Sequence, residues 1–465
     1  MFMKLFDTKS GVLQEFKPLV SGKASIYVCG PTVQSAPHIG HLRSALVYDL
    51  FARWLTEIGH EVTLIRNVTD IDDKVLEKAA ERKLPWWQLA QENEQLFAND
   101  YRKLLIGSPA AEPRATGHIT QMVSLIQVLV ERGYAYEGLD GTGSVYFDTA
   151  KWEKYGELTH QKLDDMESGS QDSAKKNPQD FALWKARKMS EPESASWPSG
   201  FGPGRPGWHI ECSAMSTYYL GEQFDIHGGG LDLRFPHHEN ELAQSSAAGH
   251  GYANYWVHNG LVTIRGQKMS KSLGNSVSSG DLFGSVSDKA VRYYLASAHY
   301  RSVLDYQPES TLEAEAALSR LHGFVSRAQR ELRETQFSKD DELALPKEFV
   351  DHMNDDLNIP GALAVIHEAA RAGNTDLDEQ RLSQASRRWS EVVAMLDVLG
   401  LSAESSEDKN LEHQALDGII QALIGERNTA REDKNYERAD QIRDQLLEIG
   451  IELADSPAGT HWSLN

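Results

Sequence analysis

The sequence predicts an α/β protein: a doubly wound, Rossmann-like parallel-sheet catalytic domain, split by an insertion and followed by an α-helical bundle and a small C-terminal domain. Three observations lead there. The chain opens with a strand–helix–strand unit, strand-like segments return only after a long polar interval, and helical spacing takes over beyond Tyr306. Ala24 to Cys29 reads as a short buried strand closed by the turn-like Gly30-Pro31-Thr32. After Gly40, apolar residues recur every four positions at Leu42, Leu46, Leu50, Trp54 and Ile58 until Gly59, which predicts an amphipathic helix. Glu61 to Ile65 predicts a second strand, and a helix between two strands implies parallel pairing.

From His160 to Gly207 the chain is polar and rich in Ser, Pro and Gly, with Phe181, Leu183 and Trp184 as its few apolar anchors, so a loop-rich insertion is expected. Gln223 to His227 and Leu261 to Ile264 then read as strands of the second half of the sheet. Leu312, Ala316, Leu318, Leu321, Phe324 and Val325 fall at helical spacings and start the bundle. The expected domains are residues 1–306 with an insertion over about 110–207, a helical bundle over 307–401, and a C-terminal domain over 411–465 behind an acidic linker.

With 465 residues and 40% hydrophobic content, the chain is long enough for two or three domains. It shows no secretory leader pattern and no apolar run near the roughly 18 residues of a membrane span, so a soluble, cytoplasmic protein is expected. Lys plus Arg number 47 against 68 for Asp plus Glu. The net charge of −21 argues against a general coat for nucleic acid, and any RNA contact must use local basic patches and base readout. The only cysteines, Cys29 and Cys212, are not expected to form a disulfide in a reducing compartment.

Two motifs carry phosphate chemistry. Pro37-His38-Ile39-Gly40-His41 lies at the start of the long helix, where free N–H groups and the helix dipole favour anions. Gly40 lets a nucleotide approach the backbone, and His38 and His41 can donate to phosphate oxygens; alone, the pair reads equally as incidental or as a metal site. Lys268-Met269-Ser270-Lys271-Ser272 lies in a polar loop, where Lys268 and Lys271 can neutralise a leaving pyrophosphate; alone, it reads as a solvated basic turn.

In this order the two motifs resemble the signatures of class I aminoacyl-tRNA synthetases. Cys29-Gly30-Pro31-Thr32, Asn67 to Lys74, Gly207 to Ser213 and Phe235 to Glu241 further resemble the bacterial cysteinyl-tRNA synthetase family, essentially end to end. The resemblance implies a ligase that activates L-cysteine with ATP to cysteinyl-adenylate plus pyrophosphate, with Mg2+ expected, and transfers cysteine to tRNA(Cys). It implies one zinc ion per chain on Cys29, Cys212, His237 and Glu241. Spacing leaves His238 as a rival ligand, since His237 and His238 lie four and three residues before Glu241. Leu242 stands where the helical zinc-protease motif would need its second histidine.

In Asp225 to Asp232, Gly229 is expected to let adenosine approach and Asp232 to accept from the ribose. Trp208, His227 and Thr69 are expected around the substrate cysteine. Asp70, Asp72 and Asp73 read as a capped helix start with Lys74 as partner. The bundle and the C-terminal domain would face tRNA, with Trp462 as a stacking candidate and arginines such as Arg327, Arg427 and Arg438 either on RNA or solvating a helix face. A monomer without membrane contact is implied. The competing reading within this chemistry is a cysteine ligase of the mycothiol pathway, with an amino-sugar acceptor.

Overall fold

The protein is described from a computed structural model, which places residues 2–161, 173–269, 276–333, 345–403, 406–456 and 459–464. The chain divides into two compact units, residues 1–401 and 402–465.

A hairpin of β1 (Lys4–Asp7) and β2 (Val12–Glu15) precedes β3 (Lys23–Val28). Next come α1 (Ile39–Glu57) and β4 (Glu61–Arg66), where the periodicity predicts them. The four-residue apolar spacing buries Leu42, Leu46, Leu50 and Trp54 along one face of α1. Gly59, at φ +94°, supplies the left-handed turn that ends the helix and starts the strand. Two helices follow, α2 (Asp73–Arg82) and α3 (Trp86–Lys103). Asp72 caps α2 by accepting from Val75 N at 2.7 Å, as the sequence suggests. Asp73, however, pairs with Lys185 and Arg205 across the insertion rather than with Lys74, because a tertiary cation already buried by packing outcompetes a solvated neighbour.

After α4 (Ile119–Glu131) the insertion forms a sheet of its own. Strands β5 (Ala135–Glu137), β6 (Val145–Phe147), β7 (Phe181–Ala186) and β8 (Gly204–Pro206) pair antiparallel in sequence order. The described residues of 160–207 are mostly loop, as expected, but the segment also gives β7 and β8 to this sheet. Its anchors Leu183 and Trp184 are fully buried on β7, and strands this short leave too few residues for alternation to register in the sequence.

The chain returns through α5 (Trp208–Leu220), β9 (Gln223–Gly230), α6 (Glu239–Ala248) and β10 (Tyr252–Asn259). The central sheet has the order β10-β9-β3-β4, all parallel, so its two halves join where β3 pairs with β9. Ligands in such sheets bind outside the carboxyl ends of the strands at this reversal of order. A second small sheet combines β11 (Val262–Ile264), β12 (Gln267–Lys268) and β13 (Leu304–Tyr306), with α7 (Ser279–Phe283) and α8 (Asp288–Ala296) between β12 and β13.

Helices α9 (Pro308–Arg333), α10 (Lys347–Asn354), α11 (Ile359–Asp378) and α12 (Leu382–Val398) pack as a bundle within the first unit. Arg292 on α8 is fully buried, pairs with Asp49 of α1 at 2.7 Å, and donates to the carbonyls of Leu104 and Leu399. Removing one member of a buried pair strands the other charge in a low dielectric. Arg292→Met should therefore destabilise the first unit by about 3–5 kcal/mol, read as an earlier chemical-denaturation midpoint.

The second unit holds α13 (Ser406–Glu432), α14 (Tyr436–Glu448) and a hairpin of β14 (Ile451–Ser456) with β15 (Gly459–Leu464). Ile420, Ile424, Ile442, Leu446 and Ile451 form its core. No helix among the described residues is long and apolar enough to cross a membrane.

Candidate functional site

At the carboxyl end of β3, Cys29 enters a pocket floored by α5 and α6. Its Sγ lies 3.4 Å from Cys212 Sγ of α5 and 3.3 Å from Glu241 Oε1 of α6. His237, just ahead of α6, places Nε2 3.0 Å from the same carboxylate oxygen. These four donors lie within 4.8 Å of one another and all are buried. A second grouping, Cys29, His227, His238 and Glu241, meets the same limit but leaves out Cys212. Only the set with His237 gathers both thiols, which spacing alone could not decide.

Hydrogen bonds around the donors favour the same set. His237 Nδ1 pairs with His209 Nδ1 at 3.0 Å, and Trp208 stacks on the ring at 4.2 Å, so the Nε2 lone pair is the one directed at the cluster. Burial pushes the His237 imidazole down to about 4, which keeps it neutral near pH 7. Burial alone would raise the Glu241 carboxyl, yet His227 and His237 hold it below its usual value. His227 Nε2 and the Tyr252 hydroxyl each lie 2.8 Å from Glu241 Oε2, leaving Oε1 facing the thiols. Both thiols are pushed up by burial, Cys29 furthest. Four donor atoms within 4.8 Å of one another, two of them soft sulfurs, with one oriented imidazole and one ionised carboxylate, fit a tetrahedral zinc-like cation. His238 likewise turns Nδ1 to a histidine, His258, at 2.8 Å, but its Nε2 stays 4.0 Å from Glu241 Oε1 against 3.0 Å for His237.

The expected substrate residues surround this cluster unequally. Trp208 is half-buried on His237. Thr69 donates to Glu211 Oε2 at 2.9 Å, and the second Glu211 oxygen has no hydrogen-bond partner among the described residues. Burial pushes Glu211 well above the ordinary carboxylate range. His227 is fully buried behind Glu241, its ring stacked on Trp256 at 4.5 Å. Sequence reasoning missed His209, His258, Tyr252 and Glu211, for which no spacing gives a signal. The Gly228-Gly229-Gly230 run has a packing cause: a Cβ on Gly228 would strike the Tyr48 ring, and one on Gly229 would lie 2.7 Å from His238. Asp232 stands exposed beyond the end of β9.

The two sequence motifs approach each other at the start of α1. Ile39 N donates to Val277 O at 3.2 Å and Ser279 N to Pro37 O at 3.3 Å, which joins the helix start to the segment after the lysine loop. A Cβ on Gly40 would lie 3.4 Å from Met269 Cε. His38 Nδ1 accepts from Gly40 N, and His41 Nδ1 accepts from His38 N, both at 3.2 Å, in a reciprocal capping box. An accepting Nδ1 carries no proton, so each neutral ring holds its proton on Nε2. The rings stack at 3.6 Å, presenting two donors of one kind. Lys268 ends β12; Ser270, Lys271 and Ser272 lie outside the described residues.

In the second unit, Trp462 packs on the isoleucine core and donates Nε1 to Asp417 at 2.8 Å, a structural use of the indole. Arg427 is buried, Arg438 pairs with Glu426, and Arg327 of α9 pairs with Glu331 and Asp378.

Residues 15–316 match the sequence model of the tRNA synthetases class I (C) catalytic domain, 348–404 that of the DALR domain, and 413–462 that of the cysteinyl-tRNA ligase anticodon binding domain. The cysteine–tRNA ligase of Leifsonia xyli is 54% identical over all of both chains. That of Renibacterium salmoninarum is 52% identical over all of this chain and 99% of its own. In fold, the chain resembles Mycobacterium tuberculosis methionyl-tRNA synthetase in complex with methionyl-adenylate, with a TM-score of 0.57 and 16% identity over 82% of this chain and 90% of that one. A putative arginyl-tRNA synthetase from Campylobacter jejuni gives 0.55 and 12% over 82% and 94%. With a catalytic-domain match over most of its length and full-length relatives above half identity, the chain belongs to the cysteine–tRNA ligase family of class I tRNA synthetases.

Proposed function

We propose that the chain activates L-cysteine with ATP and transfers it to tRNA(Cys), selecting the amino acid by its thiol. The observation that carries the reading is the convergence of Cys29, Cys212, His237 and Glu241 at the switch point of the sheet. These four residues would hold one zinc ion per chain. When bound, zinc supplies a soft acceptor that prefers the thiolate of cysteine over the hydroxyl of serine or an aliphatic side chain.

The chain's own groups do the rest. Trp208 walls the pocket, and the Thr69 hydroxyl, fixed by Glu211, orients the amino-acid end so that its carboxylate faces the α-phosphorus of ATP. Attack by that carboxylate forms the acyl–phosphate bond of the adenylate and releases pyrophosphate. His38 and His41 donate Nε2–H to phosphate oxygens as charge builds there, while Lys268 and Lys271 neutralise the leaving pyrophosphate. Gly40 keeps the backbone approachable, and Asp232 beyond β9, close to Gly229, would accept from the ribose. A terminal tRNA hydroxyl then attacks the adenylate carbonyl and AMP leaves. Mg2+ would accompany ATP. The enzyme would act as a monomer in the cytoplasm, where a reducing potential keeps Cys29 and Cys212 as thiols.

The amino-sugar alternative is not favoured, because residues 413–462 match an anticodon-binding model. The deciding experiment is charging: cysteine, ATP and tRNA(Cys) should yield cysteinyl-tRNA and AMP. Cysteine-dependent pyrophosphate exchange without charging would sink the transfer step. Metal analysis should return one zinc per chain, and its removal by a strong chelator should abolish cysteine-dependent exchange and restore it on zinc addition. Active protein free of zinc would refute the metal site.

A further inference from the structure

Arg43 on α1 is fully buried, yet among the described residues it has no carboxylate partner. Its guanidinium instead donates to five main-chain carbonyls. Nη1 reaches Gly260 O at 3.1 Å and Leu261 O at 2.9 Å; Nη2 reaches His299 O at 3.2 Å, Tyr300 O at 3.5 Å and Ser302 O at 2.7 Å. A buried charge without a counter-ion is expensive to desolvate, so such a residue persists where the geometry it imposes is needed.

That geometry concerns the two phosphate motifs. Arg43 follows His41 by two residues, and Gly260-Leu261 is the root of the β11–β12 hairpin that ends in Lys268. The loop 299–302 leads into β13, the other neighbour of β11. Asp356, in the α10–α11 connection of the bundle, grips the same loop from outside. Its Oδ1 accepts from Tyr300 OH at 2.7 Å and its Oδ2 from Arg301 Nε at 2.6 Å, while Phe6 N also donates to Oδ1 at 2.8 Å. Asp356 and Leu357 hold successive left-handed conformations, φ +55° and +51°, a backbone that L residues adopt only when their surroundings impose it.

We propose that the loop 299–302, held from inside by Arg43 and from outside by Asp356, is a brace that sets the spacing between the imidazole motif and the lysine hairpin, making Arg43 and Asp356 positioning residues for ATP. The proposal rests on reading both motifs as ATP-binding. A lysine keeps the charge of Arg43 but cannot span two loops with one forked group. A displacement of about 1 Å of reacting groups is worth about 100-fold in rate.

The test compares Arg43→Lys and Tyr300→Phe with Arg292→Lys, a control that disturbs an equally buried arginine bonded to Asp49 and to the Leu104 and Leu399 carbonyls rather than to the loop 299–302. Cysteine-dependent pyrophosphate exchange, zinc content and thermal midpoint are measured for each. The brace requires kcat/KM for ATP to fall about 100-fold in Arg43→Lys and about tenfold in Tyr300→Phe, with the cysteine KM and one zinc per chain retained. Arg292→Lys should lower the thermal midpoint without changing the ATP KM. Unchanged ATP kinetics in either brace variant overturns the proposal, and so does loss of ATP kinetics in all three in proportion to thermal midpoint. Should Arg43→Lys fail to fold, Tyr300→Phe, which deletes one hydroxyl, decides alone. Lack of exchange by the parent chain would instead indict the functional reading beneath it.

Discussion

Cys29→Ser should lower kcat/KM for cysteine in pyrophosphate exchange by about 10⁴-fold while changing the ATP KM little, because a site built around one polar partner loses that much when the partner goes. Three features set the size. Cys29 is buried within 3.4 Å of Cys212 and 3.3 Å of Glu241, so a serine oxygen would leave the remaining donors with a shorter, harder fourth partner. Selection should fail along with affinity, narrowing the preference for cysteine over serine. His237→Ala should lose the zinc, whereas His238→Ala should keep it, since His238 Nε2 stands 4.0 Å from Glu241 and its grouping leaves out Cys212. Zinc retained in His237→Ala and lost in His238→Ala would assign the ion to the other grouping, Cys29, His227, His238 and Glu241. Total metal per chain after dialysis, read beside the exchange kinetics, decides between the two groupings.

Parts of this site were legible in the sequence for physical reasons, and parts were not. Long-period signals survive: the four-residue repeat from Leu42 to Trp54 marks α1 because it runs over more than three turns and every member of it is buried. Strands β3 and β4 were visible because both faces of a parallel sheet are covered, which makes their apolar runs continuous. The antiparallel sheet of the insertion was illegible, since β5, β6 and β8 span three residues each. Glu241 and His237 were readable as one helical face, but what orients them was not. His209 and Tyr252 reach them from α5 and β10, and tertiary proximity of single residues leaves no local pattern. The glycine run of β9 carries two readings at once. Its composition suggested a nucleotide, while the Tyr48 and His238 rings already account for Gly228 and Gly229 by packing. Trp462 was similarly ambiguous, since an aromatic near the end of a chain looks alike whether it stacks on a base or on Ile420 and its neighbours.

The paired imidazoles permit a sharper experiment than deletion. Each Nδ1 is consumed in the capping box, and the proposed transition-state role would fall to Nε2, so the two duties would sit on different atoms of one ring. In size, asparagine places an acceptor near the Nδ1 position and glutamine places a donor near the Nε2 position. His41→Asn should therefore keep the helix start but lower kcat for adenylate formation by about 10²- to 10³-fold, the worth of one donor at a developing oxyanion. His41→Gln should lose the cap, at about 1 kcal/mol in stability, and retain most of the rate. In both variants the cysteine KM should stay near its parent value, because the imidazoles act on phosphate and not on the thiol pocket. Single-turnover formation of adenylate, followed by pyrophosphate release, reads the rate directly. The reverse ranking, with asparagine active and glutamine inactive, would make His41 a helix cap without a part in the chemistry, and would leave Lys268 and Lys271 to carry the charge of the transition state.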